Sequence, residues 1–170
     1  EDSFVKEAGE SSRGFFQRNQ DFKEKIYEVY FEDELNETIV EALQDNVSDF
    51  VENIKENPIT AQAIGLMLNK NQGVADHSVN VANLSVYLGM ALGHGHQFVL
   101  ENLYMGAIFH DYGKLKIDPK ILENNNNRLY SQAVQDHPLT RVKMLRKTHG
   151  IPVQVLSIIE QHHEQFNGHG

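Results

Sequence analysis

Apolar residues recur at steps of three or four along most of this chain, which is the period of an amphipathic α-helix. The clearest stripe consists of Leu35, Ile39, Leu43, Val47, Phe50 and Ile54. No stretch of useful length alternates with the period of two that strands show. With 170 residues, 40% of them hydrophobic, the chain can bury a real core. We therefore predict an all-α fold built around one main domain.

Glycine and proline residues mark the ends of the predicted helices. We expect helices over 21–31, 35–57, 77–88, 99–110, 119–122, 131–147 and 152–162. Asp118 and Pro119 fit the N-cap and the first position of the short helix, and Asn124 to Asn127 predict a surface loop. Pro138 is expected either to begin a helical segment or to kink one. Residues 1–20 show no clear period.

Two units are predicted along the chain. Residues 1–60 are acidic, lack histidine and are expected to form an N-terminal helical segment that serves for packing, regulation or linkage. Residues 61–170 contain all nine histidines and are expected to form the functional domain. We expect this domain to continue beyond the sequence given.

Charge and composition exclude several kinds of function. The net charge of −9 argues against a general DNA or RNA binder. No apolar run approaches the roughly 18 residues of a membrane span, so we expect no membrane insertion, and a cytoplasmic location is the default expectation. Cysteine is absent, which rules out thiolate sites and disulfides. A metal ion would have to be bound by nitrogen and oxygen ligands.

Histidines at the faces and ends of separate predicted helices are the strongest functional signal. They are His77, His110, His137, His162 and His163. One histidine on an apolar face is more often a hydrogen-bonded core residue than a metal ligand. Several such rings on different helices favour a shared cation, since an unpaired buried imidazole costs about 1–3 kcal/mol. His94, His96 and His149 lie beside glycine and are expected to be exposed, and His169 lies in a glycine-flanked tail.

Asp111 adds a carboxylate directly after His110. A carboxylate can bridge two cations, whereas an imidazole nitrogen usually binds only one. Two cations about 3.5–4 Å apart could polarise a phosphoryl oxygen and activate water. Lys114 could place a positive charge near the phosphoryl group, although a solvated surface lysine is an equally good interpretation.

The ordered motifs of the second unit closely resemble the HD-GYP branch of the HD phosphohydrolases. They are His77-Ser-Val-Asn-Val-Ala82, His110-Asp-Tyr-Gly-Lys114, Ile117-Asp-Pro-Lys-Ile-Leu122, His137-Pro138 and His162-His-Glu164 with Gly168 and Gly170. The resemblance covers roughly residue 73 to the last residue. It implies an HD-domain helical bundle and a metal-dependent phosphodiesterase that hydrolyses cyclic di-GMP or a related cyclic dinucleotide in bacterial signalling.

Carried over position by position, the resemblance assigns the metal ligands and the substrate contact. The ligands are His77, His110, Asp111, His137, His162 and His163. Asp111 bridges the metals, and Lys114 contacts the substrate phosphate. The implied cofactors are two divalent ions, most often iron or manganese. Some relatives with three metals carry a glutamate at the position of Gly73, so this chain is expected to hold two.

Departures from the family pattern keep a second interpretation open. Gln165 and Asn167 replace the usual arginine and aspartate, and Arg141 stands where relatives have glycine. The Tyr-Pro of the signature and a further ligating aspartate would lie beyond Gly170. The alternative is a catalytically degenerate metal-binding module that binds a ligand or a signalling protein without turnover. Hydrolysis of another phosphate ester is a third possibility.

Overall fold

The computed structural model describes residues 2–32, 35–56, 73–122, 126 and 128–168. Its helices are α1 (Asp2–Phe31), α2 (Glu37–Glu56), α3 (Val74–Ala91), α4 (Gln97–Phe109), α5 (Pro119–Leu122), α6 (Arg128–Leu145) and α7 (Val153–Gln161), with a 3₁₀ turn at Tyr112–Lys116 between α4 and α5. The described residues contain no strand. The predicted all-α fold is confirmed.

Helix α4 lies at the centre of the bundle and packs against α2, α3 and α7. Its fully buried side chains Leu100, Tyr104 and Ile108 follow one face at a spacing of four. They pack in the same hydrophobic core as α1 and α2. The N-terminal helices therefore share one continuous core with the helices that carry the histidines.

Helix α1 begins much earlier than the sequence pattern indicates, because residues 2–20 are helical as well. The buried positions Phe15, Asn19, Phe22, Ile26 and Tyr30 follow a single face of this helix. Asn19 interrupts the apolar stripe, and its side chain accepts a hydrogen bond from the Asn83 amide at 2.9 Å. A polar residue in a buried stripe concealed the period in the sequence.

Most predicted helix ends lie close to those in the structure. Asn36 caps α2 by accepting a hydrogen bond from the Ile39 amide at 2.9 Å, and Asp118 caps α5 in the same way through the Lys120 amide at 2.9 Å. Pro138 lies inside α6 and does not begin a new helix. The predicted end of the second helix at residue 57 lies outside the described residues, as does the asparagine loop except for Asn126.

Among the described helices, none combines the length and the apolar character that crossing a lipid bilayer requires.

Candidate metal centre

Four helices bring the sequence-predicted site residues to one place. α3 carries His77 in its first turn, α4 ends directly before His110 and Asp111, α6 carries His137, and α7 ends directly before His162 and His163. The carboxylate of Asp111 lies between these rings and is buried.

Each oxygen of Asp111 faces a different pair of histidines. Oδ1 lies 3.4 Å from His137 Nε2 and 3.8 Å from His162 Nε2. Oδ2 lies 3.5 Å from His110 Nε2 and 3.7 Å from His77 Nε2. This arrangement suits a carboxylate that shares its two oxygens between two cations.

Three of the rings are fixed by hydrogen bonds on their other nitrogen. His110 Nδ1 lies 2.6 Å from the Ala107 carbonyl, and His137 Nδ1 lies 2.6 Å from the Val134 carbonyl. His162 Nδ1 lies 2.8 Å from the carbonyl of Ile159. Since a carbonyl only accepts, each Nδ1 carries the proton, and in the neutral ring each Nε2 presents a lone pair to Asp111.

The carbonyls that hold these rings are ones that the helix backbone leaves free. Ala107 and Ile159 lie in the last turns of α4 and α7, where carbonyls have no partner within the helix. Val134 lies inside α6, but the residue four positions later is Pro138, which has no N–H to donate. Pro138 therefore leaves the Val134 carbonyl available to His137.

Three buried acceptors at the centre of the cluster have no hydrogen bond: Asp111 Oδ1, His137 Nε2 and His162 Nε2. Lone pairs that face each other at 3.4–3.8 Å repel unless a positive charge lies between them. Ligand atoms about 2.0–2.2 Å from one ion at tetrahedral or octahedral angles are roughly 3–3.5 Å apart. The donor atoms therefore fit a metal ion in both chemistry and spacing.

The donors divide into two groups of three. In each group the possible ligand atoms lie within 4.8 Å of one another; one group is His77, His110 and Asp111, and the other is His137, His162 and His163. Every donor is an imidazole nitrogen or a carboxylate oxygen, a set that suits iron, manganese, nickel or zinc. Two groups around one carboxylate provide donors for two ions.

The electrostatics keep the donors in the form that binds metals. Burial raises the pKa of Asp111, but polar and charged neighbours, the Lys114 ammonium among them, lower it by more, so the carboxylate is ionised at neutral pH. Burial and the nearby rings of His163 and His110 lower the pKa of His162 to about 4. Burial also lowers the pKa of His110 and of His163. An ionised carboxylate and neutral imidazoles are the metal-binding states.

Lys114 is not a solvated surface lysine. It lies in the 3₁₀ turn, and its Nζ is 2.8 Å from Asp111 Oδ1 and 2.9 Å from Oδ2. Only the contact with Oδ2 has the geometry of a hydrogen bond, which leaves Oδ1 without one. The ammonium therefore sits at the edge of the cluster and also lines the adjoining pocket.

The cluster opens into a pocket of about 410 Å³. The lining residues that the structure describes are His77, Val81, Ser85, Leu103, Ala107, His110, Asp111, Lys114, Ile158, His162 and His163. The side chain of His77 is 40% exposed, so its ring borders this pocket instead of pointing into the core as its predicted helix face implied. A solvent-accessible face of the cluster is what a substrate needs.

Two glycines hold the helices close, a role that the sequence did not indicate for either, although Gly113 belongs to the His110–Lys114 motif. A Cβ on Gly113 would lie 2.6 Å from the His137 carbonyl oxygen, and one on Gly106 would lie 2.6 Å from Ile158 Cγ2. These contacts bring α6 against the turn after Asp111 and α7 against α4. Nothing in the sequence around either residue indicates such a contact, because it depends on a distant helix.

The remaining predicted features fall into three groups. His94, His96 and His149 are exposed, as expected, and so are Gln165, Asn167 and Glu164. His169 and the side chain of Arg141 lie outside the described residues. A Cβ at Gly73 would lie 2.5 Å from the Tyr27 hydroxyl, which is the far end of a side chain.

Comparison with known proteins agrees with this geometry. The profile of the HD domain matches residues 74–169, more than half of the chain, and the matched region contains all six residues of the cluster. Comparisons with curated proteins and with solved structures gave no significant match. HD domains are generally metal-dependent phosphohydrolases that bind divalent cations. The chain belongs to the HD domain family.

Proposed function

We propose that this protein is a phosphodiesterase that uses two divalent metal ions to hydrolyse a cyclic dinucleotide, with cyclic di-GMP as the first candidate. The observation that carries the proposal is the position of Asp111, whose two oxygens each face a separate pair of imidazole nitrogens. A single metal ion would not require a carboxylate that is shared in this way. The two groups of three donors likewise support a site for two metal ions.

In this proposal His77, His110 and Asp111 would hold one ion and His137, His162 and His163 would hold the other, with the Asp111 carboxylate available to both. When bound, the ions supply Lewis acidity toward a phosphoryl oxygen and activate water for attack on phosphorus. Iron or manganese is proposed because the donors are nitrogen and oxygen only and because the motifs resemble the HD-GYP branch.

The protein's own groups position the reactants. The Nδ1 hydrogen bonds of His110, His137 and His162 hold the rings with Nε2 toward the centre. Lys114 places its ammonium at the pocket wall, where it can stabilise the growing negative charge on the phosphoryl oxygens. Water adds to phosphorus, one P–O ester bond breaks, the leaving oxygen takes up a proton, and a linear dinucleotide results.

The test combines metal analysis with product detection. Protein purified under anaerobic conditions is loaded with Fe²⁺ or Mn²⁺, analysed for metal and incubated with cyclic di-GMP, cyclic di-AMP and bis(4-nitrophenyl) phosphate. About two ions per chain and release of a linear dinucleotide are expected. Protein that takes up no metal, or that takes up metal and hydrolyses none of the three compounds, contradicts the proposal.

A second candidate function rests on the segment after His163. Gln165 and Asn167 replace the charged residues that HD-GYP relatives carry, and both side chains are exposed instead of lining the pocket. Without an arginine there, the described pocket has Lys114 as its one permanent side-chain cation. A metal-binding signalling module that binds a cyclic dinucleotide or a protein partner without turnover would have the same metal-binding residues and the same pocket. Metal uptake and tight dinucleotide binding without any linear product would favour it.

A further inference from the structure

The pocket beside the metal cluster is lined both by metal-binding residues and by apolar side chains. The apolar side chains, here called the apolar wall, are Val81, Leu103, Ala107 and Ile158. Val81 comes from α3, Leu103 and Ala107 from α4, and Ile158 from α7. The wall therefore joins the same helices that carry the metal-binding residues, one to two turns away from them.

Among the described residues, this wall has almost no side-chain group that could form a hydrogen bond with a base. Its polar neighbour is Ser85, whose hydroxyl already donates to the Val81 carbonyl at 2.8 Å. The described lining includes no asparagine, glutamine or arginine side chain that could form a paired hydrogen bond with a base edge. Contact with this wall is made mainly through carbon atoms, and Ser85 Oγ keeps only its acceptor lone pairs for a ligand.

Glycine contacts fix the shape of the wall from behind. Leu103 Cδ1 lies 3.0 Å from the position that a Cβ on Gly89 would take, and Ile158 Cγ2 lies 2.6 Å from the corresponding position on Gly106. Both side chains are therefore pressed against the backbone of a neighbouring helix. A wall that is packed in this way selects ligands by size and outline.

We propose that the apolar wall is the subsite for the organic group next to the scissile phosphate, and that it selects this group by shape and apolar contact without reading base identity. The inference rests on the proposed function, since the metal cluster places the phosphate. The pocket volume of about 410 Å³ lies at the low end of the range of roughly 300–1,000 Å³ for ligand sites. The subsite thus holds one part of a dinucleotide, and the rest extends toward the open side.

This assignment predicts weak discrimination among bases. A site built to hydrogen-bond a substrate group rejects analogues without it by about 10⁴-fold or more, whereas an apolar pocket rejects them by about 10²-fold at most. Cyclic di-GMP, cyclic di-AMP and cyclic di-IMP differ in their exocyclic groups, and inosine lacks only the 2-amino group of guanosine. We expect their affinities for the metal-loaded protein to agree within about fivefold.

The experiment measures binding and turnover separately. Equilibrium binding uses the slowly hydrolysed bis-phosphorothioate forms of the three dinucleotides, and kcat/KM is measured with the natural forms. Comparable binding without turnover would defeat the proposed function and leave the wall assignment intact. A preference of more than about a hundredfold for guanine overturns the assignment, and so does the absence of binding by all three.

Substitutions at Leu103 test the wall itself. Leu103→Ala removes three carbon atoms, and each methylene that the ligand buries is worth about fourfold in affinity, so binding of all three dinucleotides should weaken by at least about tenfold and equally. Leu103→Met keeps the volume and should retain most of the affinity, which guards against a variant that fails to fold. The control Leu92→Ala removes the same atoms from a side chain that is 77% exposed and lies outside the described pocket. Unchanged binding by Leu103→Ala, or a loss confined to one base, contradicts the proposal.

Discussion

Nε2 of His137 lies 3.4 Å from Oδ1 of Asp111, and neither atom has a hydrogen bond although both are buried. The Val134 carbonyl holds a proton of His137 on Nδ1, so in its neutral form the ring turns a lone pair toward an ionised carboxylate. Two buried acceptors in contact cost free energy that a shared cation would recover. The fold of α6 thus determines how a metal-binding nitrogen of His137 is placed beside Asp111.

Replacing Asp111 with asparagine should abolish tight metal binding. The amide keeps the shape of the carboxylate but loses its charge and one of its two acceptor oxygens. We expect both metal affinities to fall by at least about a hundredfold, beyond the effect of changing a residue that only orients a ligand. The measurement is metal content after dialysis, with circular dichroism to confirm folding.

Asp136→Asn provides the control for this change, because Asp136 is an exposed carboxylate next to His137. It should bind metal like the unsubstituted protein. Equal metal content in the Asp111→Asn and Asp136→Asn variants would show that Asp111 is not a ligand.

Pro138→Ala should weaken metal binding while it stabilises the helix. Alanine restores an N–H that can donate to the Val134 carbonyl, which then no longer holds His137 Nδ1 alone. We expect metal affinity to fall about tenfold and the free energy of unfolding of the metal-free protein to rise. Nitrogen NMR of the histidine rings should show mixed tautomers at His137 in place of the Nδ1-protonated form. An unchanged tautomer in the variant would contradict this account.

Gly113→Ala should disturb both stability and the metal site. The new Cβ would lie 2.6 Å from the His137 carbonyl oxygen, a backbone atom that cannot move alone. We expect a loss of about 1–3 kcal/mol in the free energy of unfolding together with weaker metal binding, measured by urea unfolding and metal titration. Gly95→Ala is the control, since nothing lies within 4 Å of its Cβ position. Tight metal binding by the Gly113→Ala variant would refute the proposed close contact.

The metal-free protein should lose stability as the pH falls from about 6.5 to about 4. His162 has a pKa of about 4 in the folded state against 6.5 ordinarily, chiefly because of burial. Between these values the unfolded chain binds more protons than the folded chain, so acid favours unfolding. The lowered pKa of Asp111 changes the stability only below the ordinary pKa of 3.8, which lies outside this window.

Urea unfolding at several pH values measures this slope. His162→Gln should make the decline between pH 6.5 and 4 shallower, whereas His149→Gln, at an exposed position, should leave it unchanged. The same slope in both variants would mean that His162 is not held neutral by the fold.

The sequence predicted those parts of the site that local patterns mark. His77, His110 and His162 lie at helix ends or faces that the apolar period reveals, and the family motifs supply their grouping. The contacts of Gly106 and Gly113 could not be reached, since each depends on a helix that is distant in the sequence. Tertiary packing sets these glycine contacts, and the local sequence pattern does not indicate them.

The N-terminal segment shows the same limit. Asn19 and Lys23 look like surface residues, yet both are buried in the face of α1. Asn19 is paired with Asn83, and Lys23 with Asp76. The regular period of α1 is hidden because polar partners on α3 satisfy positions that apolar residues would otherwise fill. The buried face of α1 can therefore be recognised only once its contacts with α3 are known.

Lys23→Met should therefore destabilise the protein and disturb the helix that carries His77. Lys23 Nζ lies 3.0 Å from Asp76 Oδ1, and Asp76 directly precedes His77 in the first turn of α3. Removing one partner leaves a largely buried charge unpaired, at a cost of about 3–5 kcal/mol. Urea unfolding should show a loss near the lower end of this range, since the Tyr27 hydroxyl still donates to Asp76 at 3.3 Å.

Two further variants separate this buried pair from an ordinary ion pair. The double change Lys23→Met with Asp76→Leu removes both charges and should recover most of the lost stability. Arg146→Met breaks a pair with Glu160 whose side chains are 58% and 34% exposed, and should cost no more than about 1 kcal/mol. If Lys23→Met costs as little as Arg146→Met, the contact between α1 and α3 contributes little to holding His77 in place.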